Sequence, residues 1–413
     1  MVETIKQKGH QENPSNFDIE LIREEFKAWI SDNWEANGDL IAWRTKLAMA
    51  GWACPSWPKP WYGKGLQGST DRMVNDELYR AGAVGVASGV SMYLVAPTLL
   101  DWATDEQKQR FLLPILTGEH KWCQLFSEPE AGSDLAGLKT RAERDGDEWV
   151  INGQKVWNSG AHKADYGILL ARTDQDAPKH HGISYFIIPM KQEGIETRPL
   201  RQMNHHASFN EVFLTDARVH NDDLIGDVSE GWRVALSTLA HERSGVATRR
   251  PRFKDDAGQI VETARTEADE YFSTYRWYPQ RAVRANLIIP EIQRTNQRAN
   301  PVLRSEASTV ETLRQVAVWT TNRARDGRAS GKPPGAEGSV AKLNMSVTAK
   351  ACHYAHTKIV GAQGMLVGTD SPRDGLIAEV LLSTPAQSIA GGTDEIQKNI
   401  LAEKILGLPK EPV

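Results

Sequence analysis

The spacing of apolar residues changes twice along the chain. Residues 17–122 show apolar side chains at helical intervals, as at Ile22 and Phe26. Residues 124–226 alternate apolar and polar side chains, with turn-forming residues at short intervals, which is typical of β-strands. The helical spacing returns from Trp232 to the end. The pattern predicts an α+β protein with helical, β and helical parts in that order.

The changes of pattern predict three domains. We expect an N-terminal α-helical domain over residues 1–123, a central β-domain of barrel-like form over 124–226, and a C-terminal domain of four-helix-bundle type over 227–413. Asp18 stands where a helix N-cap is expected.

Local signals refine the two later domains. Strands are predicted over residues 166–171, 183–189 and 212–214, and Asn152-Gly153 predicts a tight hairpin turn. Residues 298–308 and 329–338 are predicted to be loops between helices. The segment between Arg252 and Ala307 has no pattern that assigns it a role.

Composition narrows the class of protein. The chain has 413 residues, a net charge of −4 and 40% hydrophobic residues, which is ordinary for a globular protein of two or three domains. The charge gives no indication of nucleic-acid binding. Its three cysteines form no CxxC pair, no stretch is long and apolar enough to span a bilayer, and the first residues lack the apolar core of a signal peptide. We therefore expect a cytoplasmic protein.

Several common site motifs are absent from the sequence. It contains no GxGxxG after a strand, no phosphate loop, no HExxH and no GxSxG. His205 and His206 are adjacent, so their rings point in different directions in a regular element, and we predict no metal site.

Five segments in a fixed order resemble the acyl-CoA dehydrogenase family. They read GWACPSWP near residue 51, LFSEPEAGSDLAGLKT at 125–140, INGQKVWNSG at 151–160, FNEVFLTDARV at 209–219, and IAGGTDEIQKNILAEKILG near the C-terminus. The resemblance covers nearly the whole chain. It implies the acyl-CoA dehydrogenase fold, bound FAD, and oxidation of an acyl-CoA thioester to the trans-2-enoyl-CoA.

The resemblance also implies which residues hold FAD. In the first group, backbone amides and the Ser127 hydroxyl would meet the polar edge of the flavin, and Trp157 would pack near the ring. That group comprises Gln124, Phe126, Ser127, Gly132, Ser133, Trp157 and Ser159. Ser133 would also contact the substrate. Read alone, 127–134 is equally well a polar loop and Trp157 a core residue.

A second group of FAD contacts is implied near the C-terminus. Gly361 and Gly364 resemble a glycine-rich turn that meets FAD across a subunit contact, although Lys358 replaces the usual glutamine before it. Thr393 and Glu395 fall where the family contacts the FAD phosphates and adenosine, and the acidic Glu395 fits a phosphate less well.

The usual catalytic glutamate is missing. Many family members carry it just before a Gly-Thr pair, where this chain has Gly391, whose backbone N–H would still contact the thioester carbonyl. A minority, including enzymes like isovaleryl-CoA dehydrogenase, carries the base on an earlier helix, and Glu242 aligns with that position. Glu242 is also open to interpretation as a buried salt-bridge partner. Arg243, next to it, is the expected substrate-binding residue.

We predict that Glu242 lies at the edge of an apolar helix face, where partial burial would raise its pKa toward that of a working base. The residues expected on that face are Trp232, Ala235, Leu236, Leu239 and Val246.

Three functions remain open at this point. The first is an acyl-CoA dehydrogenase for a branched or bulky acyl group that passes electrons to an electron-transfer flavoprotein. The second is a catalytically weak partner subunit of a hetero-oligomer, because the Arg-x-x-Phe-Gly segment expected some 25 residues after Glu242 is absent. The third is a flavin oxidase or monooxygenase on the same fold. If the chain is an acyl-CoA dehydrogenase, we expect it to form an oligomer. This oligomer would be homo- or hetero-oligomeric, and a dimer or a tetramer.

Overall fold

The computed structural model describes residues 18–242, 250–255, 258–273, 283–329 and 335–410. None of the described helices is both long and apolar enough to cross a membrane. The α-helices are α1 (Ile19–Asn33), α2 (Leu40–Met49), α3 (Ser69–Ala81), α4 (Ala96–Trp102), α5 (Asp105–Thr117), α6 (Gly231–Glu242), α7 (Gln259–Ser273), α8 (Ile288–Arg294), α9 (Pro301–Ala329), α10 (Glu337–Val360), α11 (Leu376–Ser383) and α12 (Asp394–Lys404). The strands are β1 (Trp122–Leu125), β2 (Arg141–Asp145), β3 (Glu148–Lys155), β4 (Tyr166–Arg172), β5 (Ile183–Pro189), β6 (Ile195–Leu200), β7 (Phe209–His220) and β8 (Leu224–Ile225).

The helical, β and helical order confirms the predicted fold class. The predicted N-cap is also confirmed, because the Asp18 carboxylate accepts hydrogen bonds from the amides of Glu20 and Leu21 at 3.0 and 3.3 Å. Thr104 and Gln107 form a capping box at the start of α5. Short-range polar signals therefore fix where these helices begin.

The chain divides into two compact units, of which the first comprises Met1–Val86 and Arg252–Arg265. Its core packs apolar side chains of α1, α2 and α3 with three residues from the start of α7. Those three residues are Ile260, Val261 and Ala264. Part of the segment whose role the sequence left open thus completes the core of this helical unit.

The second unit comprises Ala87–Pro251 and Thr266–Val413 and contains the sheet. The strands lie in the order β6-β7-β3-β2-β4-β5-β8, and β1 pairs with β4 in parallel. The predicted strands over 166–171 and 183–189 are confirmed as β4 and β5, and 212–214 lies within the longer β7. The inward face of the sheet carries a continuous apolar core that includes Leu125, Trp149 and Phe186.

The predicted hairpin at Asn152-Gly153 is wrong. The turn lies earlier, between β2 and β3, where Gly146 adopts a φ of 65°. Gly153 instead lies inside β3 at an irregularity in its pairing with β7. A Cβ at Gly153 would come within 2.4 Å of the Thr140 hydroxyl, so the glycine allows the backbone at Thr140 to approach closely. An Asn-Gly pair in a hairpin turn and an Asn-Gly pair inside a strand cannot be distinguished by sequence alone.

The predicted loop over 298–308 is also wrong, because α9 begins at Pro301. Proline is tolerated in the first turn of a helix, where its missing N–H has no partner to lose. The second predicted loop overlaps 330–334, which lie outside the described residues, and α10 begins at Glu337.

The buried face of α6 agrees only in part with the predicted one. Ala235 is buried as predicted, and Trp232 and Leu239 are half-buried, but Leu236 is 47% exposed and Val246 lies outside the described residues. The helix also buries Gly231, Val234 and Thr238. Glu242 follows Thr238 by four residues, so it continues this buried stripe. The predicted face is rotated because the spacing of apolar residues takes no account of the buried Gly231 and Thr238.

Two contacts orient α6 against α4. The Arg233 guanidinium lies 5.4 Å from the centre of the Trp102 ring, and the Thr238 hydroxyl lies 2.9 Å from that of Thr98. These contacts pack α6 against α4. A π-helical turn, Ser91–Val95, precedes α4 and also lies against α6. Such turns are frequent at functional sites.

Gly231 provides a test of how closely α6 lies on the sheet. A Cβ at Gly231 would come within 2.4 Å of the Ser184 carbonyl carbon in β5. We expect Gly231→Ala to lower the free energy of unfolding by about 1–3 kcal/mol. The added methyl group would clash with backbone atoms of β5, which cannot move aside as easily as a side chain. Urea denaturation measures the change. Gly68→Ala is the control, because Gly68 has a φ of −59° and open space around its Cβ position. Equal stability of the two variants would contradict the close packing.

Candidate functional site

The structure brings the two predicted flavin-edge segments side by side. The Asn158 side-chain amide donates to the Gln124 carbonyl at 2.7 Å, and the Val156 amide donates to the Ser127 carbonyl at 2.9 Å. Asn158 also exchanges two backbone hydrogen bonds with Asn210 of β7. The end of β1 and the end of β3 therefore form one continuous edge.

A buried ion pair holds this edge together. The Lys155 ammonium is fully buried and lies 2.8 Å from a Glu128 carboxylate oxygen, and it also donates to the Phe126 carbonyl at 3.1 Å. Glu128 is itself 7% exposed and accepts from the amides of Lys139 and Thr140. One carboxylate thus joins the loop after β1 both to β3 and to the start of β2.

The electrostatics of this pair follow from its burial. Burial lowers the pKa of Lys155 to about 8, against the opposing charge of Glu128. Burial raises the pKa of Glu128, but the charge and hydrogen bond of Lys155 and the bonds from Thr140 and Lys139 outweigh it, so the net shift is downward. Both groups are therefore charged at neutral pH.

The surface beside this edge suits a planar aromatic group. Trp157 has a φ of 64° and is 56% exposed, with its ring edge-on to Phe209 at 5.7 Å. A positive φ at a tryptophan is strained and indicates a functional constraint. The side-chain oxygen of the buried Asn158 has no hydrogen-bond partner in the described part of the chain. Gly132 and Ser133 are exposed, and no atom lies within 4 Å of a Cβ position at Gly132.

A cavity of about 100 Å³ adjoins the edge. Its walls include Ser159 and Gly160 after β3, and Gly89 and Ser91 at the π-helical turn. The same π-helical turn lies against α6. The cavity therefore joins the predicted flavin contact Ser159 to the segment that leads into this turn.

Glu242 is the last residue of α6 and is half-buried. Within α6, the Ser237 hydroxyl and the His241 ring both bond the Asp101 carboxylate at 2.8 Å. These bonds fix the last turns of α6 against α4. Arg243, the expected substrate contact, lies outside the described residues.

The C-terminal predictions fall at two helix ends. Gly391 is exposed with a φ of 67°, and its carbonyl accepts from the Gln397 side chain at 2.8 Å. The Thr393 hydroxyl caps α12 by accepting from the Ile396 amide at 3.2 Å. Glu395 is exposed in the first turn of that helix.

The glycine-rich turn after α10 contains two different glycines. Gly361 is exposed and left-handed, with open space at its Cβ position. Gly364 is buried, and its Cβ would come within 2.8 Å of Val360. Gly364 is therefore required by the chain's own packing, and only Gly361 offers its surface to another molecule.

The group that anchors α12 is not predictable from any local sequence pattern. The buried Asp394 carboxylate accepts from Lys342 and Lys350 at 3.0 Å and from Ser346 at 2.8 Å. Burial raises the pKa of Asp394, but these hydrogen bonds outweigh it and hold the pKa far below its usual range. The contacts attach the Gly391 turn to α10.

The missed residues carried signals of different strength. Lys155 occupies an inward position in the alternation of β3, which requires a buried anionic partner, and Glu128 is a candidate in the adjacent signature loop. For Asp394, the partners lie about 50 residues earlier on another helix, and no local pattern indicates them.

Comparison with known proteins matches this architecture. Sequence models of the acyl-CoA dehydrogenase N-terminal, middle and C-terminal domains match residues 19–119, 123–217 and 291–406. The acyl-CoA dehydrogenase IpdE1 of Mycobacterium tuberculosis is 39% identical over 270 residues, which cover 61% of this chain and 70% of IpdE1. The acyl-CoA dehydrogenase FadE34 of the same organism is 48% identical over 202 residues, 49% of this chain but 28% of FadE34.

Among solved structures, the Tcur3481-Tcur3483 steroid ACAD is similar, with a TM-score of 0.66 and 26% identity over 95% of this chain and 98% of that one. This chain belongs to the acyl-CoA dehydrogenase family, a family of flavin-dependent oxidoreductases.

The buried ion pair provides a stability test of the site. We expect Lys155→Met to lower the free energy of unfolding by about 3 kcal/mol at pH 7, because it leaves Glu128 buried without its partner. Burial then raises the pKa of Glu128 above its unfolded value, so the folded state takes up a proton and the loss becomes smaller at pH 5. Urea denaturation at both pH values measures this.

Two further variants serve as controls for this test. Lys139→Met removes the exposed ion pair with Glu130 and should cost less than about 1 kcal/mol. Adding Glu128→Gln to Lys155→Met should recover part of the loss. A loss that is the same at pH 5 and pH 7 would contradict the charged pair.

Proposed function

We propose that this chain oxidises the α,β bond of an acyl-CoA thioester with FAD as cofactor. The observation that carries the proposal is the cavity between Ser159–Gly160 and the π-helical turn. The helix α6, which ends at Glu242, lies against the same turn. In the proposal, a substrate in this cavity lies beside the flavin edge, and Glu242 provides the carboxylate.

The residues of the edge fit FAD. The exposed ring of Trp157 and the open backbone at Gly132 suit a large planar group with a polar rim. We propose that Gln124, Phe126, Ser127 and Ser159 hold its ring system. FAD, when bound, supplies a two-electron acceptor for the hydride equivalent lost from the β-carbon. Thr393 and Gly361 are proposed contacts of its remaining parts, and Glu395 is the weakest of the predicted set.

The chain's own groups have three tasks in this proposal. The backbone amide of Gly391 donates a hydrogen bond to the thioester carbonyl and thereby acidifies the α-carbon. The Glu242 carboxylate removes the α-proton, aided by its half-buried position, which favours the neutral form. Arg243 and Ser133 bind the CoA portion. We propose an electron-transfer flavoprotein as the subsequent electron acceptor.

The acyl group is proposed to be branched or to carry a ring. Gly391 stands where many relatives have a glutamate, and nothing lies within 4 Å of its Cβ position. The space of a side chain is therefore free beside the thioester. One of the similar solved structures is a steroid ACAD, whose name is consistent with a bulky substrate.

A second candidate is a partner subunit in a hetero-oligomer. Similar solved structures include two assemblies named by pairs of proteins, Tcur3481-Tcur3483 and ChsE4-ChsE5. The helix α9 and the segment between α10 and α11 also expose large apolar side chains, among them Trp319, Met365 and Val367. An oligomer would cover them. In this candidate, the purified chain alone carries no flavin and oxidises no thioester.

The role of Glu242 is tested by the visible spectrum of the purified chain. We expect anaerobic addition of branched and ring-bearing acyl-CoAs to bleach the flavin band of the wild type. Glu242→Gln should slow the bleaching by at least about 10²-fold while leaving the flavin bound, because general-base contributions are of this size. Glu230→Gln is the control, since that carboxylate pairs with Arg233 outside the cavity. A colourless chain would favour the partner-subunit candidate.

The space at Gly391 is tested by substrate preference. Gly391→Ala should lower kcat/KM for ring-bearing thioesters about tenfold more than for butyryl-CoA, since the methyl group occupies the free space. Gly368→Ala is the matched control for backbone strain, because Gly368 also has a positive φ and an open Cβ position. An equal loss on both substrates would contradict the steric role.

A further inference from the structure

The turn that carries Gly391 is closed at its base by one buried hydroxyl. Ser346 of α10 is fully buried, and its Oγ lies 2.9 Å from that of Ser388, just before the turn. The same Oγ lies 2.8 Å from the Asp394 carboxylate, just after the turn. A carboxylate can only accept, so Ser346 donates to Asp394 and accepts from Ser388. Both ends of the turn over residues 389–393 are therefore fixed on one residue of α10.

A buried glutamine holds the interior of this turn. Gln397 is 1% exposed and follows Asp394 by three residues, so both side chains lie on the buried face of α12. The Gln397 side-chain amide donates to the Gly391 carbonyl at 2.8 Å. Because this carbonyl can only accept, the nitrogen of the glutamine side chain must face the turn. Gln397 therefore fixes the peptide group that joins Gly391 to Gly392.

The glycines of the turn make this bond both possible and necessary. A Cβ at Gly392 would come within 2.6 Å of the Gln397 Nε2, so a larger residue would displace the amide. Gly391 and Gly392 have φ values of 67° and 85°, and successive glycines restrict the backbone little by themselves. The Ala390 amide is anchored by the Ala386 carbonyl at 2.8 Å. The peptide group that contains the Gly391 N–H thus lies between two anchored ones.

The Gly391 N–H itself is left for another molecule. Gly391 is exposed, and its amide has no hydrogen-bond partner within the ranges that the structure describes. In the proposed function, this amide donates to the thioester carbonyl. A donor of this kind stabilises developing negative charge only if it is held in place before the reaction.

We propose that Gln397 is a positioning residue, which holds the peptide between Gly391 and Gly392 and thereby directs the Gly391 N–H at the thioester carbonyl. This inference rests on the proposed function, because that function assigns the carbonyl to Gly391. Gln397 acts through the backbone and does not touch the substrate. Its loss should therefore weaken the polarisation of the carbonyl and leave the binding of the CoA portion unchanged.

The carbonyl stretching band of bound benzoyl-CoA, isotope-labelled at the carbonyl carbon, tests this directly. Benzoyl-CoA has no α-hydrogen, so it can be neither deprotonated nor oxidised at this bond. Infrared difference spectra of the FAD-loaded chain should show a lower carbonyl frequency than in water, because the bound carbonyl accepts a well-aligned hydrogen bond. Gln397→Met keeps a side chain of similar size without a donor, and it should remove at least about half of this shift.

The matched control is Gln107→Met. Gln107 is also buried, and its Nε2 donates to the carbonyls of Asp222 and Leu224 at 2.8 and 2.7 Å. This variant loses buried hydrogen bonds far along the chain from the turn and should keep the wild-type shift. Gly392→Ala is the second test variant, because its methyl group displaces the Gln397 amide without changing Gln397, and it should also reduce the shift.

Three results would overturn the positioning role. They are a wild-type chain that does not shift the band, a shift that survives both Gln397→Met and Gly392→Ala, and an equal loss of the shift in Gln107→Met.

Turnover separates this inference from the proposed function. With cyclohexanecarbonyl-CoA, Gln397→Met should lower kcat about 10²-fold with little change in KM, as expected for a misplaced catalytic group. If the wild type oxidises this thioester but the benzoyl-CoA shift does not depend on Gln397, the function stands and the inference fails. If the shift depends on Gln397 but no thioester is oxidised, the positioning role stands and the dehydrogenase function fails.

Discussion

The site depends on one buried ion pair, between Lys155 at the end of β3 and Glu128 in the loop after β1. A lysine with no exposure is costly unless an anion compensates it, and Glu128 does so while also binding two backbone amides. The same ammonium donates to the Phe126 carbonyl. The pair therefore fixes the backbone on either side of the proposed flavin edge. The main effect of the pair is to position the backbone, because two apolar side chains of similar volume could give the protein equal stability.

The second constraint is the direction of α6. Gly231 allows the helix to begin directly on the backbone of β5, and Thr238 then meets Thr98 and Tyr185 in the interior. From this start, α6 packs against α4 and the π-helical turn and ends at Glu242. In the usual family arrangement the base comes from the turn before α12. Here Gly391 stands in that turn, and Asp394 secures the turn to α10.

Periodicity alone was sufficient for the fold class and the order of the parts. The strands β4 and β5 and the N-cap at Asp18 were predictable because apolar alternation and capping are local effects. The Asn152-Gly153 signal misled because a glycine required by the approach of Thr140 resembles a turn glycine. The face of α6 was misplaced because its closest contacts use glycine and threonine. The cluster at Asp394 joins residues distant in sequence, which no local pattern contains.

An experimental structure of the chain with FAD and a non-reducible acyl-CoA analogue would test the central claim most directly. The account predicts that the flavin ring lies against Phe126, Ser127 and Trp157, with the acyl group in the cavity beside Ser159 and the Glu242 carboxylate facing its α-carbon. A flavin bound elsewhere, or an acyl group remote from Glu242, would contradict it.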